Sequence, residues 1–297
     1  MIKAKRLVCV SMSTPDLERQ IAYYTEIVGL HVVDKCATRA IMATNSGQIA
    51  VVLVHGQRES CDRLAFEVSP TLSCADMTRH LNGLGIESKS ESWPIPAVEK
   101  SLTFLDPKGT AIDLFAAPAL AVRGKDVGST AALKLGHIAF AVPDPLAMSE
   151  FYKDTLGFRV SDWIGDYFVF LRCGVDHHSV NFIKGPTSKM HHVAFEMRNA
   201  THLYDHCDLL GQKKIEIVWG PMRHAAGHNL ATYHFNPDNQ IVELFTELDT
   251  MSDEEGGFFD PRPWHAELPQ RPKTWDPQHE PLTWGLRPAQ KFAVFAR

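Results

Sequence analysis

The sequence predicts an α+β fold of two tandem modules, each built from paired βαβββ units that form a curved sheet around a cup. Three observations carry this. The chain of 297 residues repeats itself at nearly half its length. Within each repeat, short apolar runs suited to strands alternate with helical patterns. From about residue 250 both regularities stop, and proline and tryptophan accumulate.

The repeat is legible residue by residue. LVCVSMSTPDLERQIAYYTEIVGL matches LGHIAFAVPDPLAMSEFYKDTLGF, with Pro15-Asp16 aligned to Pro143-Asp144 and Gly29 to Gly157, an offset of 128. RLAFEV (Arg63 to Val68) matches HVAFEM (His192 to Met197) at 129, and LDPKGTAIDLF (Leu105 to Phe115) matches FNPDNQIVELF (Phe235 to Phe245) at 130. So small a drift leaves room only for short loop insertions. One module therefore spans 1–117 and the other 133–248, with 118–132 as a Gly- and Ser-containing linker and 249–297 as a tail.

The second module sets the pattern. An apolar run, Leu135 to Val142, suits a strand buried on both faces and is bounded by Pro143. Asp144-Pro145 then opens a helix, with proline in its first turn, and Gly157 closes it. Strands follow near Phe158 to Trp163, Tyr167 to Arg172 and Ser179 to Ile183. The second unit repeats the plan. A strand lies near His192 to Met197 and a helix at Ala200 to Leu210, followed by strands at Ile215 to Trp219, Leu230 to Phe235 and Gln240 to Phe245.

Composition excludes several classes. Apolar residues make up 44% and charged residues 22%, with a formal net charge of -5, so a soluble core is affordable and no basic face suggests nucleic acid. No apolar run is long enough for a membrane span, and the N-terminus lacks the apolar core of a signal peptide. The six cysteines are scattered without a C-x-x-C pair and read as reduced thiols, which points to the cytoplasm. Histidine is concentrated: ten of fifteen lie between His137 and His234.

The repeat, with the motifs K-L-G-H-I-A-F, M-H-H-V-A-F-E and I-V-E-L-F-T, resembles the vicinal oxygen chelate (glyoxalase/bleomycin-resistance/dioxygenase) superfamily. Within it, the chain is most similar to the two-module type I extradiol ring-cleavage dioxygenases of the catechol and homoprotocatechuate 2,3-dioxygenase kind. The resemblance covers about residues 1 to 250. It implies a metal held by His137, His192 and Glu243, with Fe(II) expected and Mn(II) an alternative. Two histidines and a carboxylate on one face leave positions open for a chelating diol and for dioxygen. A lone histidine in a strand is ordinarily a satisfied core side chain; the three motif positions together favour a metal. His191 competes with His192, and strand alternation separates the pair onto opposite faces.

The first module is an internal control. The repeat offsets place Cys9, Arg63 and Asp113 where the ligands stand in the second. Arginine has no lone pair to offer, so that module is expected to be metal-free and structural.

The resemblance further implies pocket roles for His178, His224 and Tyr233. Imidazole titrates near neutrality, which suits His178 to acid/base work, while His224 and Tyr233 would hydrogen-bond the substrate. His177 and His228 are close rivals by position, and His228 is kept as a substrate-binding candidate. In relatives that recognise a carboxylate, an arginine stands just before the G-P-x-R-H motif; here that position is Trp219. A tryptophan offers an apolar face and one donor, which favours an apolar or aromatic substituent.

The tail holds seven of the eighteen prolines and three of the six tryptophans, Trp264, Trp275 and Trp284. Disordered segments are poor in aromatics, so an ordered arm over the cup or over a neighbouring subunit is expected, with Arg262, Arg271 and Arg287 as possible substrate contacts. The expected partners are a small aromatic diol and dioxygen, neither nucleic acid nor membrane, and a further copy of the chain in a homo-oligomer. The expected reaction is meta cleavage of a catechol in aromatic-compound degradation. The alternatives are a hydroquinone dioxygenase, a glyoxalase-like isomerase, or a metal-free binding or resistance protein of the same fold.

Overall fold

The computed structural model describes residues 1–92, 98, 101–116, 131–279 and 281–295, the side chains of 293–295 excepted. Most of the expected linker at 118–132 therefore lies outside the described residues. The chain divides into two compact units.

Unit 1 comprises Met1–Leu135 with Glu150–Phe158 and Asn236–Asn239. Its elements are β1 (Ala4–Thr14), α1 (Leu17–Tyr23) running into a π-turn at Tyr24–Val28, β2 (His31–Cys36), β3 (Arg39–Ala43), β4 (Ile49–His55), β5 (Ser60–Val68), α2 (Cys74–Gly83), β6 (Lys89–Glu91), β7 (Ser101–Leu105) and β8 (Ala111–Phe115). They form one sheet in the order β2-β3-β4-β1-β5-β8-β7-β6. Asp16 caps α1 by accepting from Arg19 N, and Gly29 ends the helical run at φ 76°, a left-handed conformation that glycine adopts without steric cost.

Unit 2 holds the remaining residues. It contains β9 (Lys134–Val142), α3 (Pro145–Leu156), β10 (Arg159–Ile164), β11 (Phe168–Arg172), β12 (Val180–Lys184), β13 (Lys189–Glu196), α4 (Ala200–Gln212), β14 (Ile217–His224), β15 (Leu230–Phe235), β16 (Ile241–Thr246), β17 (Lys273–Trp275), β18 (Leu282–Gly285) and α5 (Gln290–Phe295), although the second half of α3 and the first two residues of β9 count with unit 1. That half of α3 buries Tyr152 and Leu156, and the Tyr152 hydroxyl donates to Asp106 Oδ2 at 3.0 Å.

The second sheet runs β17-β10-β11-β12-β9-β13-β16-β15-β14-β18. Without its two outermost strands it reproduces the first sheet strand for strand. The duplicated sequence thus folds into a duplicated α+β sheet, as its repeat requires.

Two features of unit 2 depart from the sequence expectation or extend it. The strand expected to stop at Trp219 continues to His224. The ladder with β15 skips from Trp219↔Tyr233 to Met222↔Ala231, so Gly220 and Pro221 sit in a bulge and pairing resumes beyond them. That continuation brings His224 into the sheet.

The tail is ordered and covers both sheet edges. β17 pairs parallel with β10, and β18 pairs antiparallel with β14. Edge strands otherwise expose unpaired backbone groups, so the tail supplies their partners. Two buried carboxylates clamp it. Asp249 Oδ2 lies 2.7 Å from His228 Nδ1, and its Oδ1 lies 2.8 Å from His265 Nε2 in the tail. Asp162 accepts from Lys273 N at 2.9 Å and from Trp275 Nε1 at 2.7 Å.

Gly285 lets β18 dock closely. Its φ is 117°, and a Cβ there would run into Met222 Cα and Cβ and Pro221 O. Gly285→Ala should therefore detach β18 while the central strands stay closed. Hydrogen exchange across residues 282–285 should speed up, with β13 and β16 unchanged; unaltered protection of β18 would show that the close approach is not needed.

Candidate metal centre

Three adjacent strands place the three expected ligands. β9, β13 and β16 are neighbours at the middle of the second sheet, and β13 runs parallel to β16 with Ala194 opposite Glu243. His137, His192 and Glu243 are all buried. His137 Nε2 lies 3.2 Å from His192 Nε2 and 3.0 Å from Glu243 Oε2, and His192 Nε2 lies 3.2 Å from the same oxygen.

Those distances can be compared with a coordination sphere. Metal–ligand bonds of about 2.1 Å put adjacent octahedral positions about 3 Å apart. The three atoms form a triangle of that size, so a first-row divalent cation fits against all of them at once. Burial would raise the Glu243 carboxyl, but the nearby His137 and His192 outweigh it and hold it well below the usual carboxylate range. Burial lowers His137, opposing the pull of Glu243. An ionised carboxylate beside a neutral imidazole presents lone pairs to a cation. Glu243 Oε1 is engaged separately by Asn229 Nδ2 at 2.8 Å, which leaves Oε2 to the centre.

Among the described residues one other group has metal-ligand composition: His228, Asp249 and His265. Its pattern differs. Each carboxylate oxygen serves one imidazole, as in a hydrogen-bonded clamp, whereas Glu243 offers one oxygen to two.

The triad lines a cavity of about 280 Å³, near the lower end of ordinary small-molecule sites. His178 lines it too, with its ring 4.2 Å from that of His137. Burial, then His137 and His177, push His178 well below the usual imidazole range, so it stands neutral. Tyr233 faces Glu243 directly across β15 and β16 and faces Trp219 across β14 and β15. Its hydroxyl lies 2.9 Å from His224 Nε2, and burial followed by Glu243 raises its pKa well above the usual value, so it keeps its proton. Trp219 stacks on Tyr233 at 5.1 Å and 21°. Sequence reasoning thus brought His178, His224, Tyr233 and Trp219 to one cavity with the triad.

Other candidates are placed elsewhere. His228 is held by Asp249 away from the cavity wall, Arg262 reaches Thr250 Oγ1 at 3.3 Å, and Arg271 donates to the carbonyls of Gly256 and Gly257. Arg287 is exposed. None of the four lines the cavity. The tail reaches it through other residues: Trp275, Asp276, Pro277, His279, Pro281 and Phe292. The alternation argument about His191 also needs amendment. His191 lines the same cavity, and its Nδ1 lies 2.7 Å from His192 Nδ1. Residues that the sequence did not single out include Asn229, Asn181, Phe168 and Phe170. Their signal was present, since Phe168 and Phe170 share one strand face at period two.

The corresponding corner of unit 1 is filled differently. Arg63 Nη1 lies 2.9 Å from Asp113 Oδ1 and its guanidinium also reaches Glu91, while Cys9 is fully buried and burial pushes its thiol pKa up.

Comparison with known proteins gives a consistent picture. Residues 134–244 match the Glyoxalase/Bleomycin resistance protein/Dioxygenase superfamily. The iron-dependent extradiol dioxygenase of Rhodococcus jostii is 25% identical over 69% of this chain and 76% of its own. The 3-methylcatechol 2,3-dioxygenase of Pseudomonas putida is 26% identical over 80% of this chain and 88% of its own. For two metapyrocatechases the match spans only 37% and 49% of their length. Among solved structures, the Mn(II)-bound glyoxalase of Novosphingobium aromaticivorans superposes with a TM-score of 0.83 at 25% identity, covering 98% of this chain and 94% of that one.

The geometry predicts one metal per chain. Elemental analysis should find it in the wild type, lose it in His192→Ala, and find it unchanged in Cys9→Ser and Asp113→Asn. Two metals per chain, falling to one in Asp113→Asn, would mean that unit 1 carries a working site.

Proposed function

We propose, from the membership of residues 134–244 in the glyoxalase/bleomycin-resistance/dioxygenase superfamily, that this protein is a type I extradiol dioxygenase cleaving the ring of a catechol with dioxygen. The observation that carries the reading is the buried convergence of His137, His192 and Glu243 beside His178 in one cavity. Divalent iron or manganese suits this donor set. Held by His137, His192 and Glu243, such a metal would supply Lewis acidity for the diol and dioxygen.

The chain's own residues supply the rest. His178, neutral in the cavity, takes the proton of a substrate hydroxyl and returns it later in the reaction. Tyr233 keeps its proton and shares a 2.9 Å hydrogen bond with His224 Nε2, so the two side chains together present a polar patch on the cavity wall to a substrate oxygen. The Pro281 carbonyl of the tail accepts from Ala225 N, next to His224, at 3.0 Å. Trp275, Asp276, Pro277, His279, Pro281 and Phe292 of the tail form part of the cavity wall and leave less of it to water.

The wall also limits the ring substituent. Ile164, Phe168, Phe170, Ile183, Trp219 and Phe292 form its apolar side, and no Lys or Arg lies among the described lining residues. A carboxylate substituent would find no fork to pair with and would lose its water. The preferred substrate is therefore a catechol with an apolar or aromatic substituent. A glyoxalase-like isomerase is the competing reading, given the Novosphingobium neighbour. It consumes no oxygen, so oxygen uptake and yellow product with a panel of catechols separate the two.

Two variants test the assignments. His178→Asn should retain metal while turnover falls by about 10²–10⁴-fold; full turnover would remove His178 from the acid/base role. Trp219→Arg should raise kcat/KM for carboxylated catechols relative to neutral ones. An unchanged ratio would take Trp219 out of the specificity account.

A further inference from the structure

We propose that Asp162 and His177 form a positioning relay that fixes the tautomer of His178, and that Trp275 in the tail completes it. The inference rests on the acid/base role given to His178 above and adds how that residue is set for it.

The argument follows hydrogen-bond polarity along a buried chain. Asp162, His177 and His178 are all buried. Asp162 Oδ2 lies 3.2 Å from His177 Nε2, and His177 Nδ1 lies 2.9 Å from His178 Nδ1. A carboxylate accepts, so the relay assigns the one ring proton of His177 to Nε2, facing Asp162 Oδ2. Its Nδ1 then carries a lone pair and must receive a proton from its neighbour. His178 is therefore the Nδ1–H tautomer, and its Nε2 lone pair is left for the cavity that its ring lines. In this state His178 accepts a substrate proton at Nε2: the O–H bond breaks, the N–H bond forms, and the new positive charge is oriented toward the carboxylate through His177.

The relay is held rigidly. The His177 ring packs between Phe170 at 5.7 Å and Phe259 at 5.0 Å, and its backbone N donates to Asp249 O at 2.8 Å. His177 does not line the cavity, so it acts through His178 and is a positioning residue. Asp162 has two further donors, both from the tail: Trp275 Nε1 on Oδ2 at 2.7 Å and Lys273 N on Oδ1 at 2.9 Å. Trp275 also lines the cavity. One carboxylate thus ties the seating of the tail to the orientation of the acid/base histidine.

The test reads tautomers directly. In ¹⁵N-histidine-labelled full chain loaded with diamagnetic Zn(II), His178 should appear as Nδ1–H, and His177→Phe should convert it to Nε2–H. With the native metal, His177→Phe and Asp162→Asn should lower kcat by about 10–100-fold at unchanged KM and metal content. His177→Asn, which returns an acceptor near the Nδ1 position, should recover part of the loss. An Nε2–H His178 in the wild type overturns the relay, as does full kcat in His177→Phe. If the variants fail to fold, the wild-type tautomer decides alone. Wild type with Nδ1–H His178 but no oxygen uptake on any catechol would instead sink the dioxygenase reading and leave the relay standing.

Discussion

One carboxylate oxygen facing two imidazoles at about 3 Å is the constraint around which unit 2 is built. With both imidazoles deprotonated, as a ligand role requires, three lone pairs are aimed at one buried point and repel one another. A divalent cation reverses the sign of that arrangement. The surrounding structure is consistent with a site held ready for one. Asn229 occupies the second oxygen of Glu243, His191 meets the back of His192, and Tyr233, opposite Glu243 in the ladder, packs its ring against that of His192. Each contact removes a rotational freedom that the ligands would otherwise have.

The tail solves two problems with the same residues. The second sheet would end in two bare edges, and the cup would be open to water. β17 and β18 pair with those edges, and Trp275, Asp276, Pro277, His279 and Pro281 line the cavity. Asp162 and Asp249 anchor it through donors that only the folded tail can present. Trp275 donates to Asp162 and the Pro281 carbonyl accepts from Ala225 N, so tail residues that line the cavity are also bonded to the rest of the unit.

Duplication explains why one chain contains two sheets of equal plan and unequal chemistry. In unit 1 the Arg63 guanidinium pairs with Asp113 and Glu91 at the corner that in unit 2 faces the metal centre. An internal cation on a side chain takes the place of an external one. The corner stays electrostatically closed without a ligand set.

The sequence by itself determined the duplication and the βαβββ order, and it pointed to His137, His192, Glu243, His178, His224, Tyr233 and Trp219, which the fold brings to one cavity. Those are legible because a repeat fixes register, and register fixes which side chains share a strand face. It did not determine where His228, Arg262, Arg271 and Arg287 point, that the strand at Trp219 runs on through a bulge, or that His177 bears on His178 from behind. A histidine pair adjacent in sequence reads as one residue in and one out; only the fold shows that the buried partner is bonded between the other and Asp162. An ordered arm over the cup was expected from the tail's aromatics, but its path was beyond sequence reasoning for the same reason. It has no repeat partner and little periodic pattern, so its path is set by carboxylates and sheet edges far away in the chain, and those meet it only in the tertiary structure.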